Sequence, residues 1–168
     1  MRTWSCTLPA VPASSIQVPP NCDLTLGLVC VDKSVPGTTT WRATADERFC
    51  NPAGIVQGGF LAAMCDSAMG ASALTFARRD DPERKILARN AEMKVSFLAA
   101  AEPGCVLECV ATVISGGRSA AFVEAELSDV GPSVQLRATP EGGPGHDGGR
   151  RIVAKASSTY LYAERRGG

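Results

Sequence analysis

One carboxylate interrupts a long apolar stretch of the chain. Residues Gly58–Ala77 are almost all Ala, Met, Leu, Phe, Ser and Gly, and Asp66 stands near the middle of them. Burying an ionised carboxylate costs several kcal/mol unless a partner compensates the charge. An acidic residue kept at this position indicates either a hydrogen-bonded structural role or a role in chemistry.

A glycine pair precedes Asp66 by two helical turns. Gly58 and Gly59 stand at the start of the apolar run, where we expect a helix to begin. Unpaired amides at a helix N-terminus carry partial positive charge and can receive a developing oxyanion, while an Asp can activate water or attack directly. These residues are half of an acyl-hydrolysis site, although Gly-Gly before a helix is also common in packing and capping.

The sequence lacks the residues that most other kinds of catalytic or binding site require. The single histidine, His146, lies in a Gly-rich segment, so a Ser-His-Asp or Cys-His relay and a zinc site both lack the residues they need. The dinucleotide-binding and P-loop glycine motifs do not occur. The 17 basic and 17 acidic side chains cancel, which disfavours nucleic acid and a polybasic membrane anchor. We therefore expect no metal, no separate cofactor, no nucleic-acid partner and no membrane partner.

The cysteines and the N-terminal residues bear on the cellular location. The 7 cysteines include no Cys-x-x-Cys pair, and several fall in apolar runs where cysteine behaves as a small hydrophobe. Prolines interrupt the first 20 residues, which lack the apolar core of a signal peptide. Gly58–Ala77 is long enough for a membrane span, but Asp66 at its centre favours a helix wrapped by a sheet. These features predict reduced thiols and a cytoplasmic protein.

The second half of the chain changes from helical to strand periodicity. Apolar and polar residues alternate in segments 92–97, 106–111 and 121–127, and glycines separate these segments at hairpin spacing. Residues 38–44 are β-branched and contain Trp41, which predicts a first strand before the helix. Residues 151–162 predict a last strand. The pattern indicates an α+β domain in which an antiparallel sheet packs on one long helix.

The sequence also suggests where this domain begins and ends. We expect residues 1–37 to form an irregular N-terminal arm with a short helix at 24–31, and residues 163–168 to form a C-terminal tail. The domain between them, 38–162, contains a Gly/Pro-rich loop insertion at 131–149, whose residues 133–139 could form an extra strand.

The segment NPAGIVQGGFLAAMCDSAMG, residues 51–70, resembles the active-site helix of the PaaI-like hotdog-fold acyl-CoA thioesterases. Their pattern is Asn-x-x-Gly-x-x-His/Gln-Gly-Gly, with an acidic residue seven positions after the second Gly. The resemblance continues in KVSFLAAAEPG, GGRSAAFVEAELSD and VAKASSTYL, so it covers roughly residues 38–162. It implies a curved antiparallel sheet wrapped around one central helix, assembled as dimers and often tetramers, that hydrolyses coenzyme A thioesters without metal.

The resemblance also implies roles for four catalytic residues. Asp66 stands where the family has its base or nucleophile, and Gly58 stands where a backbone amide binds the thioester carbonyl. Asn51 matches a polar residue that orients water or the carbonyl, although Asn before proline is equally a turn residue. Gln57 replaces the His of many members, so a pH dependence that relies on that His should be absent.

Four more residues are candidate substrate contacts: Gly59, Ser67, Asn90 and Arg118. Asn90 lies where the family often has a Ser or Thr that contacts the catalytic water, so its own role is open. Ser67 and Asn90 are commonly simple polar partners. Arg118 follows two glycines in a turn, where an arginine is more often solvated than bound to the phosphates of a nucleotide.

Together these residues predict an acyl-CoA thioesterase in which Asp66 is the general base or, through an anhydride, the nucleophile. Two other classes stay open. A non-catalytic acyl-CoA binding or sensing module would share the fold but would not need the acid. A hydratase or dehydratase would need an Asp and a His close together on one segment, which this chain does not offer.

The spacing of Gly58 and Asp66 predicts an active site shared between two chains. At 1.5 Å per residue the two lie about 12 Å apart along one helix, too far to act on the same carbonyl. Gly58 of one subunit should therefore face Asp66 of a two-fold partner. We expect a homodimer with two composite sites, or a homotetramer, in which Asn51 groups with Gly58 and Asn90 groups with Asp66.

Overall fold

The predicted sheet and helix both form in the computed structural model, which describes residues 19–132 and 150–164. In chain order the elements are α1 (Asn21–Leu26), β1 (Val29–Asp32), β2 (Thr38–Thr44), a 3-10 helix (Glu47–Phe49), α2 (Gly58–Ala77), β3 (Ile86–Phe97), β4 (Cys105–Gly116), β5 (Ala120–Pro132) and β6 (Arg151–Glu164). One long helix and a six-stranded antiparallel sheet confirm the predicted fold class.

The strand order places β3 at one edge of the sheet. The order is β1-β2-β4-β5-β6-β3, and every neighbouring pair is antiparallel. β3 pairs with β6 along its whole length, from Ile86 opposite Glu164 to Phe97 opposite Ala154. The ladder is irregular between Asn90 and Glu92, where the register shifts. The other side of β3 pairs with no described strand.

The helix α2 forms the centre of the core, because β2 to β6 all pack against it. Its buried positions carry mostly small or flexible side chains, such as Cys65, Ala68 and Met69, which are fully buried. Facing them on the sheet are Leu107 and Leu127, also fully buried. By length and composition alone α2 could cross a membrane. Its apolar character on all sides is explained here by the sheet that packs around it.

The N-terminal arm differs from the prediction. The short helix lies at Asn21–Leu26, not at 24–31, because Gly27 adopts a left-handed conformation with φ of 64° and ends it. The β-branched residues that follow form β1 and pair with β2. The sheet therefore begins inside the predicted arm, at Val29, and the strand at 38–44 is the second one. Residues 1–18 lie outside the described residues.

The other boundaries also shift. β5 extends to Pro132, so the first two residues of the predicted insertion 131–149 belong to a strand. β6 extends to Glu164 because it pairs with the start of β3, which moves the end of the domain into the predicted tail at 163–168. Residues 133–149, with the suggested strand at 133–139 and His146, lie outside the described residues, as do residues 165–168.

Six of the cysteines are described, and all six carry free thiols: Cys22, Cys30, Cys50, Cys65, Cys105 and Cys109. The last three are buried and pack in the core as small apolar side chains, as predicted. Burial raises the pKa of the Cys105 thiol to about 11, so this group stays protonated near neutral pH.

Candidate active site

The first turn of α2 presents two unpaired amides. The N-cap residue Gln57 has extended backbone angles, and its side chain makes no capping bond. The amides of Gly58 and Gly59 donate to no backbone acceptor among residues 19–132 and 150–164. Both glycines are accessible, and a Cβ at Gly59 would meet open space. These N–H groups can therefore receive an oxyanion, as the sequence predicts.

Phe97 explains why position 58 carries glycine. A Cβ at position 58 would lie only 2.9 Å from Cζ of Phe97, so a larger residue would displace the end of that ring. The same ring borders an open cleft of about 380 Å³, whose lining includes Asn51, Gly58 and Leu98. Phe97 and Leu98 are 53% and 58% exposed, so one wall of this cleft is apolar and accessible.

Asn51 shapes the turn that leads into the helix. Its Oδ1 accepts from the amide of Ala53 at 2.9 Å, and its own amide donates to the carbonyl of Ile55 at 2.8 Å. The turn interpretation of Asn51 is therefore correct. Asn51 also lines the cleft together with Gly58, which is the predicted grouping. Its Nδ2 group donates to no described acceptor and can reach a ligand in that cleft.

Gln57 anchors the start of the helix through its backbone. Its amide donates to the carbonyl of Phe49 at 2.9 Å, and its carbonyl accepts from the amide of Phe60 at 2.9 Å. The rings of Phe49 and Phe60 stack with their centroids 4.4 Å apart. The side chain of Gln57 is exposed to solvent.

Asp66 lies on the face of α2 that meets β3 and β6. Asn90 Nδ2 donates to Asp66 Oδ1 at 2.6 Å, and the Tyr160 hydroxyl donates to the same oxygen at 2.5 Å. The residue is half-buried. Two donors therefore compensate the charge of a carboxylate that the apolar helix could not hold alone. The predicted grouping of Asn90 with Asp66 is present in the structure.

A second layer of side chains fixes these donors. The Ser158 hydroxyl lies 2.9 Å from Asn90 Oδ1 and 2.8 Å from the carbonyl of Glu92, on either side of the irregularity in β3. Tyr160 is 2% exposed. Burial, and then the hydrogen bond to Asp66, raise the pKa of Tyr160 well above its ordinary value. Its hydroxyl therefore keeps its proton and acts as a donor.

The sequence prediction missed Tyr160 and Ser158. The alternation in β6 places both on the buried side of their strand, and this much could be seen from the sequence. Their connection to Asp66 depends on the register that sets Asn90 opposite Tyr160. No local pattern specifies that register, because β3 and β6 are separated by two strands and the segment 133–149.

Ser67 takes the second of its two expected roles, that of a polar partner within the fold. Its hydroxyl donates to Asp23 Oδ1 at 2.7 Å, and Asp23 is a buried residue of α1. Ser67 therefore fastens α1 to α2 and points to neither the Asp66 cluster nor the cleft at Gly58. An acidic partner 44 positions away could not be predicted from its surroundings in the sequence.

Arg118 lies at the far end of α2 from Gly58. Its carbonyl accepts from Arg84 Nη2 at 3.4 Å, and Arg84 Nη1 donates to the carbonyl of Ala77, the last residue of the helix. A 20-residue helix is about 30 Å long. The structure therefore does not bring Arg118 to Gly58 or to Asp66.

Within one chain the candidate site consists of two separate parts. Gly58 belongs to a cleft with Asn51 and Phe97, whereas Asp66 belongs to a cluster with Asn90 and Tyr160. The first part can bind an oxyanion and the second can accept a proton. In residues 19–132 and 150–164 no group of three or more His, Cys, Asp or Glu side chains is arranged to hold a metal ion.

Comparison with known proteins finds a family model and solved structures that resemble this chain. The family model of the thioesterase superfamily matches residues 53–135, which include Gly58, Asp66 and Asn90. No curated protein sequence gives a significant match.

Solved structures share the whole architecture. A thioesterase family protein from Silicibacter pomeroyi is 22% identical with a TM-score of 0.70, and the alignment covers 88% of this chain and 93% of that one. The E. coli PaaI protein of the phenylacetic acid degradation operon is 18% identical, with a TM-score of 0.64 and coverage of 88% and 85%. A Streptococcus mutans UA159 protein bound to acetyl-CoA is 17% identical, with a TM-score of 0.63 and coverage of 83% and 91%. The match to the thioesterase superfamily model over residues 53–135 and the architecture shared with these structures show that this chain has a PaaI-like hotdog fold, similar to that of thioester hydrolases.

Proposed function

We propose that the protein is an acyl-CoA thioesterase, which hydrolyses the thioester bond of an acyl-coenzyme A. The observation that carries this proposal is the Asp66 carboxylate, held by Asn90 and Tyr160 in the helix whose first amides are free. The acetyl-CoA bound to the similar Streptococcus mutans protein supports coenzyme A as the thiol part of the substrate.

In the proposed reaction the Gly58 amide donates to the thioester oxygen while Asp66 removes a proton from water. The hydroxide formed attacks the carbonyl carbon, and the negative charge that develops on oxygen is stabilised by the amide. The intermediate then collapses, the carbon–sulfur bond breaks, and the proton on Asp66 passes to the leaving thiolate. In the alternative route Asp66 itself attacks, and water hydrolyses the resulting anhydride. Asn51 orients the carbonyl or the water in either route.

We propose that two copies of the chain complete each active site by pairing along β3. This edge strand is 12 residues long, and it presents a row of backbone groups with no described partner on its outer side. The Asp66 cluster lies beside Asn90, and the Gly58 cleft lies beside Phe97, on the same strand. Antiparallel pairing about a two-fold axis between these positions sets Asn90 opposite Phe97 of the partner subunit. Asp66 then approaches Gly58 of the partner subunit.

We also propose that two such dimers form a tetramer. Three large apolar side chains on neighbouring strands are exposed, namely Ile114 at 58%, Phe122 at 49% and Leu161 at 45%. They point away from α2, so pairing along the β3 edge would not cover them. Exposed apolar side chains grouped in this way favour a second contact between copies.

Two further residues are proposed to contact the substrate. Gly59 presents its free amide beside that of Gly58 and can share the oxyanion. Arg118 is exposed on the turn between β4 and β5, near Arg84, so it can bind a phosphate of the nucleotide if coenzyme A extends toward that end of α2. We propose a cytoplasmic location, where the free thiols of the described cysteines would stay reduced.

A panel of acyl-CoA substrates tests the proposed function. Aliphatic and aromatic thioesters are incubated with the protein, and release of free coenzyme A is followed with a thiol reagent. We expect turnover of at least one class, and the comparison of kcat/KM across the panel identifies the acyl group that fits. Tight binding without thiol release for every substrate would instead favour an acyl-CoA binding or sensing module.

Hydrolysis is expected to be independent of metal ions. The proposed reaction uses a carboxylate and backbone amides, so dialysis against a strong chelator should leave kcat unchanged. The measurement compares chelated enzyme with enzyme supplemented with Mg²⁺, Mn²⁺ or Zn²⁺. A reproducible loss of activity that a divalent ion restores would contradict the proposed chemistry.

A further inference from the structure

The two donors around Asp66 hold the same carboxylate oxygen. Asn90 Nδ2 lies 2.6 Å from Oδ1, and the Tyr160 hydroxyl lies 2.5 Å from it. Among residues 19–132 and 150–164, no side chain donates to the other oxygen, Oδ2. The carboxylate is therefore oriented, with one oxygen occupied and the other left for a reacting group.

Tyr160 can hold this orientation because its ring is fixed. The residue is 2% exposed, and its ring packs against Gly70, where a Cβ would come within 3.5 Å of the ring. The hydroxyl has a second acceptor within reach, since it lies 2.9 Å from the main-chain carbonyl oxygen of Asp66. A hydroxyl has one hydrogen, so it donates to one of these two acceptors at a time.

We propose that Tyr160 is a positioning residue, which turns Asp66 so that Oδ2 is the reacting oxygen and which exchanges its own hydrogen-bond acceptor during turnover. This inference rests on the proposed thioesterase function. While Asp66 is ionised, the hydroxyl donates to Oδ1. Once Oδ2 has accepted a proton from water, Oδ1 is a weaker acceptor and the hydroxyl can donate to the main-chain carbonyl instead. The buried hydroxyl then keeps a partner in both states, with no movement of the ring.

Tyr160 is the neighbour of Asp66 whose hydrogen bond depends on the charge of that carboxylate. In the described part of the chain, Tyr160 is the titratable side chain that is hydrogen-bonded to the Asp66 carboxylate. The acidic side chains nearby have other partners, because Asp23 of α1 accepts from Ser67 and Glu92 of β3 accepts from Thr159.

The variant Tyr160→Phe tests the proposal, because it removes the hydroxyl and keeps the ring. We expect kcat to fall about 30-fold while KM changes less than about twofold, since a positioning role affects the reaction more than binding.

Tyr162→Phe is a matched control. Tyr162 lies on the same strand, and its hydroxyl donates to the carbonyl of Ala73 on the same helix at 2.8 Å, away from Asp66. This variant removes a similar contact between β6 and α2, and we expect its kcat and its KM to remain close to those of the wild type. If Tyr160→Phe behaves like Tyr162→Phe in both measurements, the proposal is overturned.

Two more variants distinguish a failure of the Tyr160 proposal from misfolding and from a failure of the proposed thioesterase function. If Tyr160→Phe does not fold, Asn90→Ala removes the other donor and must lower kcat with little change in KM, and an unchanged kcat counts against the proposal. Asp66→Asn separates the inference from the proposed function. Full activity in Asp66→Asn overturns the function itself, whereas an inactive Asp66→Asn beside an unaffected Tyr160→Phe overturns only the role of Tyr160.

Discussion

The substitution Asp66→Asn is expected to lower thioester hydrolysis by at least about a hundredfold while the protein remains folded. An amide cannot remove a proton from water and is a poor nucleophile, so both proposed routes lose their essential group. The fold should survive because the Asn side chain keeps an oxygen that can still accept from Asn90 and Tyr160. The effect should therefore appear in kcat and not in the amount of folded protein.

The measurement is kcat and KM for the best substrate of the panel, together with the thermal unfolding midpoint. Asp32→Asn is a matched control. Asp32 lies on β1, at the other end of the strand order from β3, and its Oδ1 accepts from the amide of Ser34 at 2.9 Å, so its hydrogen bond involves no residue of either part of the site. It undergoes the same chemical change, so it should lower stability slightly and leave kcat unchanged. Near-wild-type turnover in Asp66→Asn would refute the proposed mechanism.

The residues that could be predicted from the sequence are those that break a local pattern. Asp66 is recognisable because it is the one charged side chain of an apolar helix. Gly58 is recognisable because the first amides of a helix have no acceptor within the helix. The helix itself has the bounds expected of it, because its pattern is long and its glycine start is unambiguous. Period-2 alternation likewise located the strands, although each proved longer than the clearest part of its pattern.

The residues that could not be predicted depend on long-range pairing. Tyr160 reaches Asp66 across 94 positions and Ser67 reaches Asp23 across 44, and nothing local to either residue specifies its partner. The start of the sheet was missed for a related reason. Gly27, in a left-handed backbone conformation, ends α1, and the residues after it form β1 and pair with β2. Pairing of this kind is set by the whole sheet, so its details follow from the structure and not from sequence periodicity.

Mixed dimers should recover activity from two inactive proteins. In a site shared between chains, Asp66→Asn removes the base that one subunit supplies, and Gly58→Pro removes the oxyanion donor that the other subunit supplies to the same site. When one subunit of each kind pairs, both changes fall in the same composite site. The remaining site combines wild-type Asp66 with wild-type Gly58, so a heterodimer should show about half of the wild-type kcat per dimer.

Gly58→Pro suits this experiment because proline is tolerated in the first turn of a helix, where its missing N–H would be unpaired in any case. The substitution also adds a Cβ, which would lie 2.9 Å from Cζ of Phe97. That contact involves the end of a half-exposed side chain, which can move aside. Gly58→Ala is the matched control, since it adds the same Cβ but keeps the amide. We expect it to retain much more activity than Gly58→Pro.

The two variants are produced with different affinity tags, mixed under conditions that exchange subunits, and purified through both tags in turn. Thiol release is then compared between the heterodimer and each parent homodimer. If Gly58 and Asp66 acted within one chain, each subunit of the heterodimer would still lack one of the two groups, and no activity could return. Folded heterodimers without activity, or full activity in an isolated monomer, would therefore refute a site shared across β3. Recovery would place Asp66 of one chain within reach of the same thioester as Gly58 of the other.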